Sequence, residues 1–196
     1  MTIAELLRQP SAWLAVGAVE GPVVSSRIRL ARNVRDVAFP GWAGAEECER
    51  LWNRVYPVLN RLPVLQESSA MAMAEHDELE RQILFERHLI SREQAEKTKG
   101  SGLVLRRDES LSVMVNEEDH LRLQGMRPGL SLRAIWEDVN RLDSEIEEHL
   151  DYAFSPKLGY LTACPTNVGT GMRASVMLHL PGLVLMNEIN PVIKGM

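Results

Sequence analysis

Three short apolar segments follow one another in the middle of the chain, with only brief polar interruptions between them. Residues 103–107, 111–116 and 119–124 are predicted strands. Arg107-Asp108-Glu109-Ser110 has the composition of a hairpin turn between the first two. Clustered strands that do not strictly alternate with helices are typical of antiparallel pairing. The chain is therefore predicted to be α+β, with a largely antiparallel sheet flanked by helices.

The flanking segments extend this prediction. Residues 23–34 alternate as a strand does, with Ile28 and Leu30 on one face and Arg27 and Arg29 on the other. Helices are predicted for residues 1–20 (broken at Pro10, ending near Gly17), 45–62 (kinked at Pro57), 76–88 (with Leu79, Ile83 and Leu84 inward), a short stretch from Ser91, and 131–150. Further strands are predicted around 158–163 and 174–180, with Leu183–Met186 extending the sheet.

Composition narrows the class of protein. The 196 residues are 45% hydrophobic and 25% charged, which suits one globular core. A net charge of −5 gives no global electrostatic case for nucleic-acid binding. No apolar run approaches the roughly 20 residues of a membrane span, and the first residues lack the pattern of a signal peptide. Two cysteines, Cys48 and Cys164, suggest no disulfide framework, so a cytoplasmic protein is expected.

A run rich in small and polar residues covers Ala163 to Ser175. Its glycines permit a close backbone approach, its hydroxyls donate hydrogen bonds, and Arg173 adds a fixed positive charge. These are the ingredients of an oxyanion or phosphate cradle between two strands. An ordinary turn rich in glycine and threonine has the same composition, and this segment alone does not decide between the two.

A pair of arginines forms a second candidate. Arg27 and Arg29 leave the same face of the predicted strand, where two guanidiniums repel each other unless an anion lies between them. A polyphosphate would serve, because guanidinium groups donate bidentate hydrogen bonds to phosphate oxygens. The alternative is the solvated outer face of an edge strand.

A third candidate is the acidic tetrad Asn116-Glu117-Glu118-Asp119. Carboxylates this close raise one another's pKa unless a cation or a cationic substrate is held there. If the tetrad is extended, at most one glutamate faces a given pocket. Arg122 is placed to pair with Glu118 or to reach a phosphate. The alternative is an acidic surface turn. The histidines and cysteines show no metal-ligand spacing, so no protein metal site is predicted.

Taken together, three segments resemble the motifs of the ATP:guanido phosphotransferases, the family of creatine kinase and arginine kinase. They are Ser25–Asn33, Asn116–Arg122 and Cys164–Val176. The resemblance implies a guanido-kinase catalytic domain with a glutamine-synthetase-like fold. Only about twenty residues precede the first motif, and Glu86–Ser91 and Asp151–Phe154 are similar to the bacterial branch that phosphorylates arginine residues in proteins.

The resemblance also implies residue roles. Glu118 would hold the substrate guanidinium and accept its proton, supported by Glu117 and Asn116, and Cys164 would lie beside it as a thiolate whose pKa is lowered by positive charge. The residues implied to clamp the ATP phosphates are Arg27, Arg29, Arg122 and Arg173. The residues implied to complete the nucleotide site are Ser25, Ser26, Ile28, His88, Ala174, Ser175, Val176 and Met177. Mg²⁺ would be held mainly by the nucleotide.

The implied partners are ATP and arginine-containing proteins, including a heat-shock repressor and proteins sent to an AAA+ protease, with a zinc-finger protein as activator. The setting is the bacterial stress response in the cytoplasm, without direct contact to nucleic acid or membrane. Three alternatives stay open: a kinase for free guanidino compounds, an inactive module that binds nucleotide or arginine, and a purely structural domain. Arginines far apart in space would favour the last.

The end of the chain enters the prediction of domains. In the family, the polypeptide continues with more of the sheet, a further phosphate-binding arginine and a second glutamate loop, and then a helical dimerisation domain. Here the sequence ends at Met196. Residues 1–196 are therefore expected to be a partial catalytic domain that lacks the remainder of that domain and the dimerisation domain.

Overall fold

The computed structural model describes residues 2–14 and 21–195. Within these ranges the chain forms a six-stranded antiparallel sheet and a separate two-stranded hairpin, which confirms the predicted fold class. The strands are β1 (Val23–Arg32), β2 (Ser68–Ala72), β3 (Gly102–Arg106), β4 (Leu111–Val115), β5 (Leu121–Pro128), β6 (Phe154–Ser155), β7 (Gly159–Tyr160) and β8 (Met172–Leu178). Their order in the large sheet is β2-β3-β4-β5-β1-β8, and β6 pairs with β7.

Helices cover parts of both faces of the large sheet. They are α1 (Ile3–Leu6), α2 (Ala45–Leu59), α3 (Glu78–Glu86), α4 (Arg92–Glu96), α5 (Leu132–Glu147), α6 (Pro181–Leu185) and α7 (Ile189–Gly195). Short 3-10 turns occur at Ala12–Leu14, Pro63–Leu65, Met73–Glu75 and Pro165–Asn167. Side-chain caps begin several of these helices: Thr2 caps α1, Asp77 caps α3 and Ser91 caps α4.

The main core lies between the sheet and helices α2 and α5. Ile28 and Leu30 of β1 point into it, as the alternation predicts. Gly125 of β5 permits the close approach of α5, because a Cβ at this position would lie 2.6 Å from a methyl carbon of Val139. The large apolar residues that β1 and α5 contribute are Ile28, Leu30, Ile135, Val139, Leu142 and Ile146.

The opposite face of the sheet carries a second core over β2, β3 and β4 only. Its buried side chains come from these strands, from α1 and from the segment that contains α3: Ile3, Leu6, Met71, Met73, Leu84, Leu89, Ile90, Leu103, Leu105 and Met114. The other half of this face, on β5, β1 and β8, bears arginine side chains in place of apolar ones. This uncovered half contains the site described below.

Some predicted elements are wrong. Leu79 is 68% exposed, because it lies five positions before the buried Leu84 and therefore about 140° around the α3 axis. Leu183–Met186 does not extend the sheet but falls largely in α6, where Pro181 occupies the first turn, a position that favours a helix. The strand predicted around 158–163 contracts to the two residues of β7.

Three further elements, β2, α2 and the N-terminal helix, also differ from the prediction. Strand β2 was not predicted, because Ser68 to Ala72 lacks β-branched and aromatic residues. Helix α2 continues through Pro57 to Leu59, two residues beyond the predicted kink. The N-terminal helix is shorter than predicted, and its predicted end near Gly17 lies outside the described residues.

Candidate active site

A cleft of about 470 Å³ opens on the uncovered half of the sheet. Its walls come from strands β1, β5 and β8, from the turn between β4 and β5, from the start of α4 and from the loop before β8. The lining residues are Arg29, Ala31, Ser91, Glu93, Glu117, Glu118, Arg122, Cys164, Thr166, Asn167, Gly171 and Arg173. The three segments singled out from the sequence therefore meet at one cleft.

Strand register brings the arginines together. Arg29 lies opposite Arg173 across the β1–β8 ladder, and Arg122 lies opposite Ala31 across the β1–β5 ladder. Arg27 is two residues from Arg29 on the same face. The four guanidiniums thus share one face of three adjacent strands, which contradicts the alternative of a structural domain with dispersed arginines.

This cluster of positive charge is not neutralised by protein carboxylates at every position. Within residues 2–14 and 21–195, Arg27, Arg29 and Arg173 form no ion pair, and the buried Nε of Arg29 has no hydrogen-bond partner. Burial, followed by the charges of Arg27, Arg122 and Arg173, lowers the pKa of Arg29 to about 10. Burial followed by the charge of Arg173 also lowers the pKa of Arg27. Such a cluster is suited to a polyanion.

The acidic end of the cleft is built by a turn and not by an extended strand. Asn116 adopts a left-handed conformation with φ 57°. Its side-chain amide donates to the backbone carbonyls of Cys48 (2.8 Å) and Gly100 (2.6 Å), which anchors the turn to α2 and to the segment before β3. Because the turn is not extended, the restriction of an extended pair does not apply, and Glu117 and Glu118 both line the cleft.

The two glutamates differ in their surroundings. Glu117 is buried; its Oε1 accepts hydrogen bonds from Ser91 Oγ (2.5 Å) and Arg122 (2.8 Å). Glu118 is more exposed and pairs with the same arginine at 2.9 Å. Partial burial raises the pKa of Glu118 above its usual value, and the charge of Arg122 opposes this shift. Arg122 thus joins the acidic end of the cleft to the arginine cluster.

Cys164 lines the same cleft as the glutamates and lies in the segment that leads into β8. Its Sγ is 3.0 Å from Thr166 Oγ1, and the residue is half-buried. Gly171 closes this segment against β1 with φ 64°. A Cβ at Gly171 would lie 2.5 Å from the carbonyl oxygen of Ala31, so the close contact requires glycine.

His88 lies above the arginine face, at the end of α3. Its backbone carbonyl accepts a hydrogen bond from Gln124 Nε2 (2.8 Å), and its ring packs against Trp13 at 4.9 Å between ring centroids. Burial, followed by the charge of Arg27, lowers the pKa of His88 below its usual value. No sequence pattern indicates that Trp13 lies here.

The nucleotide-site residues implied by the resemblance divide between the two faces of the sheet. The side chains that share the arginine face are those of Ser25, Arg27, Arg29, Arg122, Arg173, Ser175 and Met177. The side chains of Ser26, Ile28, Ala174 and Val176 lie on the opposite face and do not line the cleft, so the implied role of these residues in the nucleotide site stays a prediction. Ile28 is in the main core, and Ser26 Oγ donates to the carbonyl of Gly129 (2.6 Å).

Several residues that line the cleft, Ala31 of the first motif among them, had no predicted role. Thr166 and Asn167 stand inside the third motif but had no assigned role, and Ser91 was identified only as a helix cap. Glu93 is in the first turn of α4, and no sequence pattern marks it. In the part of the chain that the structure describes, no group of three or more His, Cys, Asp or Glu side chains is arranged to hold a metal ion. No helix among these residues has both the length and the apolar character of a membrane span.

Comparison with known proteins places this geometry in context. Residues 51–196 match the family model described as ATP:guanido phosphotransferase, C-terminal catalytic domain. Among curated proteins, the chain is 46% identical to the protein-arginine kinase of Desulforamulus reducens, over 98% of this chain and 56% of that protein. It is 45% identical to the protein-arginine kinase of Geobacillus stearothermophilus, over 94% and 52%. The chain spans about half the length of the curated relatives it matches.

Solved structures with the same fold are guanidino kinases. The duplicated taurocyamine kinase from Schistosoma mansoni, with bound transition state analog components, superposes with a TM-score of 0.77 at 26% identity, over 93% of this chain and 29% of that one. Lombricine kinase superposes with a TM-score of 0.73 at 25% identity, over 90% of this chain and 54% of that one. Both superpositions include at least 90% of this chain.

Proposed function

This chain belongs to the ATP:guanido phosphotransferase family, and from that premise we propose that the protein transfers the γ-phosphoryl group of ATP to the guanidinium of arginine residues in proteins. The observation that carries the proposal is the cleft itself, in which Arg29 and Arg173, free of ion pairs among the described residues, adjoin two carboxylates and a thiol. Arg27 lies next to the cleft, two residues from Arg29 on the same face of β1. One end is suited to a polyphosphate and the other to a cationic acceptor. Curated relatives at 42–46% identity are protein-arginine kinases.

The arginine end would bind the triphosphate. Guanidinium groups donate bidentate hydrogen bonds to phosphate oxygens, and they stabilise the charge that is spread over the transferring group in the transition state. Arg29 and Arg173 face each other across one ladder, so one phosphate can reach both. Mg²⁺ would be coordinated by nucleotide oxygens and water, a mode that magnesium commonly adopts with phosphates.

The acidic end would bind the acceptor. Glu118 is the more exposed carboxylate and can receive a guanidinium, while the buried Glu117 is fixed by Ser91 and Arg122. The pKa of Glu118 is raised toward neutral pH, and a carboxylate whose pKa lies nearer the operating pH is a stronger general base. Cys164, which lines the same cleft, would contact the bound guanidinium.

In the proposed reaction, a terminal nitrogen of the arginine side chain attacks the γ-phosphorus. A nitrogen–phosphorus bond forms, the bond from phosphorus to the β–γ bridging oxygen breaks, and ADP leaves with that electron pair. The proton lost from the nitrogen passes to the Glu118 carboxylate. A free guanidinium has a pKa above about 12, so orienting and desolvating the attacking nitrogen contributes as much as removing the proton.

The setting of the reaction is also part of the proposal. We propose cytoplasmic protein substrates, among them a heat-shock repressor and proteins destined for an AAA+ protease, and a zinc-finger protein as activator. The support is the resemblance to the bacterial protein-kinase branch. An enzyme that uses ATP on intracellular proteins fits this location.

The experiment compares the chain with Glu118→Gln in the presence of MgATP and an arginine-rich protein such as protamine. Phosphoarginine is detected by mass spectrometry at neutral pH, because the nitrogen–phosphorus bond is labile in acid. We expect the variant to lose at least about a hundredfold in rate, the scale of a general base, while its affinity for ATP changes little. Glu148→Gln, at an exposed residue after α5, is the matched control.

Unchanged phosphoarginine formation in Glu118→Gln contradicts the proposed role of this carboxylate. A second candidate function is favoured by the solved neighbours, which are named as kinases of the free guanidino compounds taurocyamine and lombricine. Phosphorylation of free arginine, taurocyamine or lombricine in preference to protamine would establish that alternative. ATP binding without any phosphoryl transfer would identify a binding module.

A further inference from the structure

The segment that carries Cys164 has little regular structure of its own. We define the Cys164 loop as residues 161–171, between β7 and β8; it contributes Cys164, Thr166, Asn167 and Gly171 to the cleft. Its internal backbone hydrogen bonds form short turns, such as Asn167 N to Cys164 O at 3.0 Å. Such a loop stays in one conformation only if contacts from outside hold it.

Asp119 supplies a contact at the start of the loop. Its side chain is fully buried, and Oδ1 accepts hydrogen bonds from the backbone N–H of Ala163 (2.7 Å) and from Asn33 Nδ2 (2.7 Å). The same Asn33 amide group donates to the carbonyl of Leu161 (3.0 Å). The loop is therefore tied at Ala163 directly, and at Leu161 through Asn33, to the residue that follows Glu118.

The other oxygen of Asp119 shows that this arrangement has a cost. Oδ2 is buried and has no hydrogen-bond partner among the described residues. A buried carboxylate that is only partly satisfied destabilises a fold. The described hydrogen bonds of this carboxylate are therefore made by Oδ1 alone, which holds Asn33 and the amide of the residue before Cys164.

Arg32 supplies the contact at the end of the loop. Its guanidinium is 3% exposed and donates to the carbonyl of Thr170 at 2.9 Å. The same group forms two hydrogen bonds to Asp143 of α5, at 3.1 and 2.6 Å, and lies 3.6 Å from the centroid of the Tyr160 ring. Arg32 thus fastens the last turn of the loop to the main core, on the face of the sheet away from the cleft.

We propose that Asp119 and Arg32 are positioning residues, which hold the Cys164 loop at its two ends and set the distance between Cys164 and Glu118. The link is direct at one end, because the Glu118–Asp119 peptide joins the acidic turn to the amide that precedes Cys164. A hydrogen bond to an ionised acceptor is roughly twice as strong as a neutral one, which explains a carboxylate at this position. The catalytic consequence of the proposal rests on the proposed role of Cys164.

The test measures backbone hydrogen exchange over residues 161–171 in the whole chain. Asp119→Leu removes the acceptor at similar size, whereas Asp119→Asn keeps an oxygen that can accept from Ala163. We expect exchange in the loop to speed up by about tenfold or more in Asp119→Leu, and to be largely restored in Asp119→Asn. Arg32→Lys cannot reach both Asp143 and Thr170, and we expect faster exchange at the end of the loop.

A matched control separates positioning from general loss of stability. Glu109 is also buried, is paired with Arg87, and likewise has one oxygen without a partner among the described residues, yet it lies in the β3–β4 turn away from the loop. We expect Glu109→Gln to lower the melting temperature without selective change in the loop. Exchange in the loop that is the same in Asp119→Leu and Glu109→Gln overturns the proposal.

Arg32→Lys keeps the question decidable if Asp119→Leu does not fold. In that case loop exchange in Arg32→Lys equal to that of the original chain overturns the proposal, and selectively faster exchange upholds it. With protamine as substrate, the proposal also predicts a lower kcat with an unchanged KM for ATP in Arg32→Lys. Hydrogen exchange does not require turnover. Absence of phosphoarginine in the original chain would contradict the proposed function, whereas the exchange rates of the loop would still decide whether Asp119 and Arg32 hold it.

Discussion

The two halves of one face of the sheet have opposite chemistry. Over β2, β3 and β4, Leu103, Leu105 and Met114 are buried under α1 and α3. Over β5, β1 and β8, the corresponding positions carry arginines, and the half is open to a cleft. The same backbone ladder runs through both halves. The half that buries apolar side chains stabilises the fold, and the half that gathers like charges is unfavourable until an anion binds.

The boundary between the halves lies at one pair of residues. Met114 of β4, which belongs to the second core, is the register partner of Arg122 of β5, which pairs with Glu117 and Glu118. Arg122 is therefore neutralised by protein carboxylates, whereas Arg29 and Arg173 have no such partner among the described residues. Among the described residues, the cleft arginines that have no carboxylate partner and can bind an anion therefore lie on β1 and on the edge strand β8.

The largest expected effect is on the covered half. Leu103→Ala removes a fully buried side chain and leaves a cavity against α1 and α3. We expect the free energy of unfolding to fall by about 2–5 kcal/mol. Urea denaturation followed by circular dichroism measures this change, and a fall below about 1 kcal/mol would contradict the assignment of this half to stability.

The matched change on the open half should cost no stability. Arg29→Met removes a charge that its neighbours repel and a buried Nε that has no hydrogen-bond partner among the described residues. We expect the free energy of unfolding to stay the same or to rise by up to about 1 kcal/mol. The same denaturation experiment applies, and a loss as large as that of Leu103→Ala would show that the two halves do not differ.

The pH dependence of the reaction sharpens the role of the boundary residue. Transfer requires the ionised Glu118, so the rate should fall as pH drops through a pKa above 4.5. Arg122 lowers this pKa, and Arg122→Gln should therefore move the acidic limb of kcat/KM to higher pH, together with a lower rate. A limb at the same pH in both proteins would show that the two side chains do not interact in solution.

The smallest expected effect is at His88. Its pKa lies below 6.5 because of burial and then the charge of Arg27, so Arg27→Gln should move it upward. A lowered histidine pKa means that the unfolded chain binds the proton more tightly, and stability is lost as pH falls from 6.5 through the folded-state value. The variant should reduce this loss. NMR titration of the ring protons checks the shift, and His88 titrating at the same pH in both proteins would exclude the coupling.

Sequence patterns predicted the parts of the fold that depend on periodicity. The alternation of β1 fixed which residues face the core, and the clustered strands predicted antiparallel pairing. The site was predictable to the level of motifs, because the resemblance of three segments to a known family singled out Arg27, Arg29, Arg122 and Arg173, whereas residue type and spacing alone left their roles open. Whether they meet depends on the strand order β5-β1-β8, in which β1 lies between strands distant in sequence. No local pattern contains that order.

Other features depend on tertiary context. The turn at Asn116 places both glutamates in the cleft because distant carbonyls of Cys48 and Gly100 hold it. Ser26 and Ile28 share a motif with the arginines but point to the opposite face, since neighbours in a strand alternate. Trp13 and His88 are far apart in the sequence, and their rings meet only because the segments before β1 and after α3 pack together. Such contacts depend on how distant segments pack, and the spacing of residues along the sequence does not predict them.

The central claim is that the open half of the sheet binds a nucleoside triphosphate through arginines that lack protein partners. Calorimetric titration of MgATP into the chain and into Arg29→Gln tests it most directly, with Arg133→Gln, an exposed arginine of α5, as control. We predict that affinity falls by about tenfold or more in Arg29→Gln, equivalent to about 1.4 kcal/mol, and stays within about twofold in the control. Equal affinity in all three proteins would contradict the account.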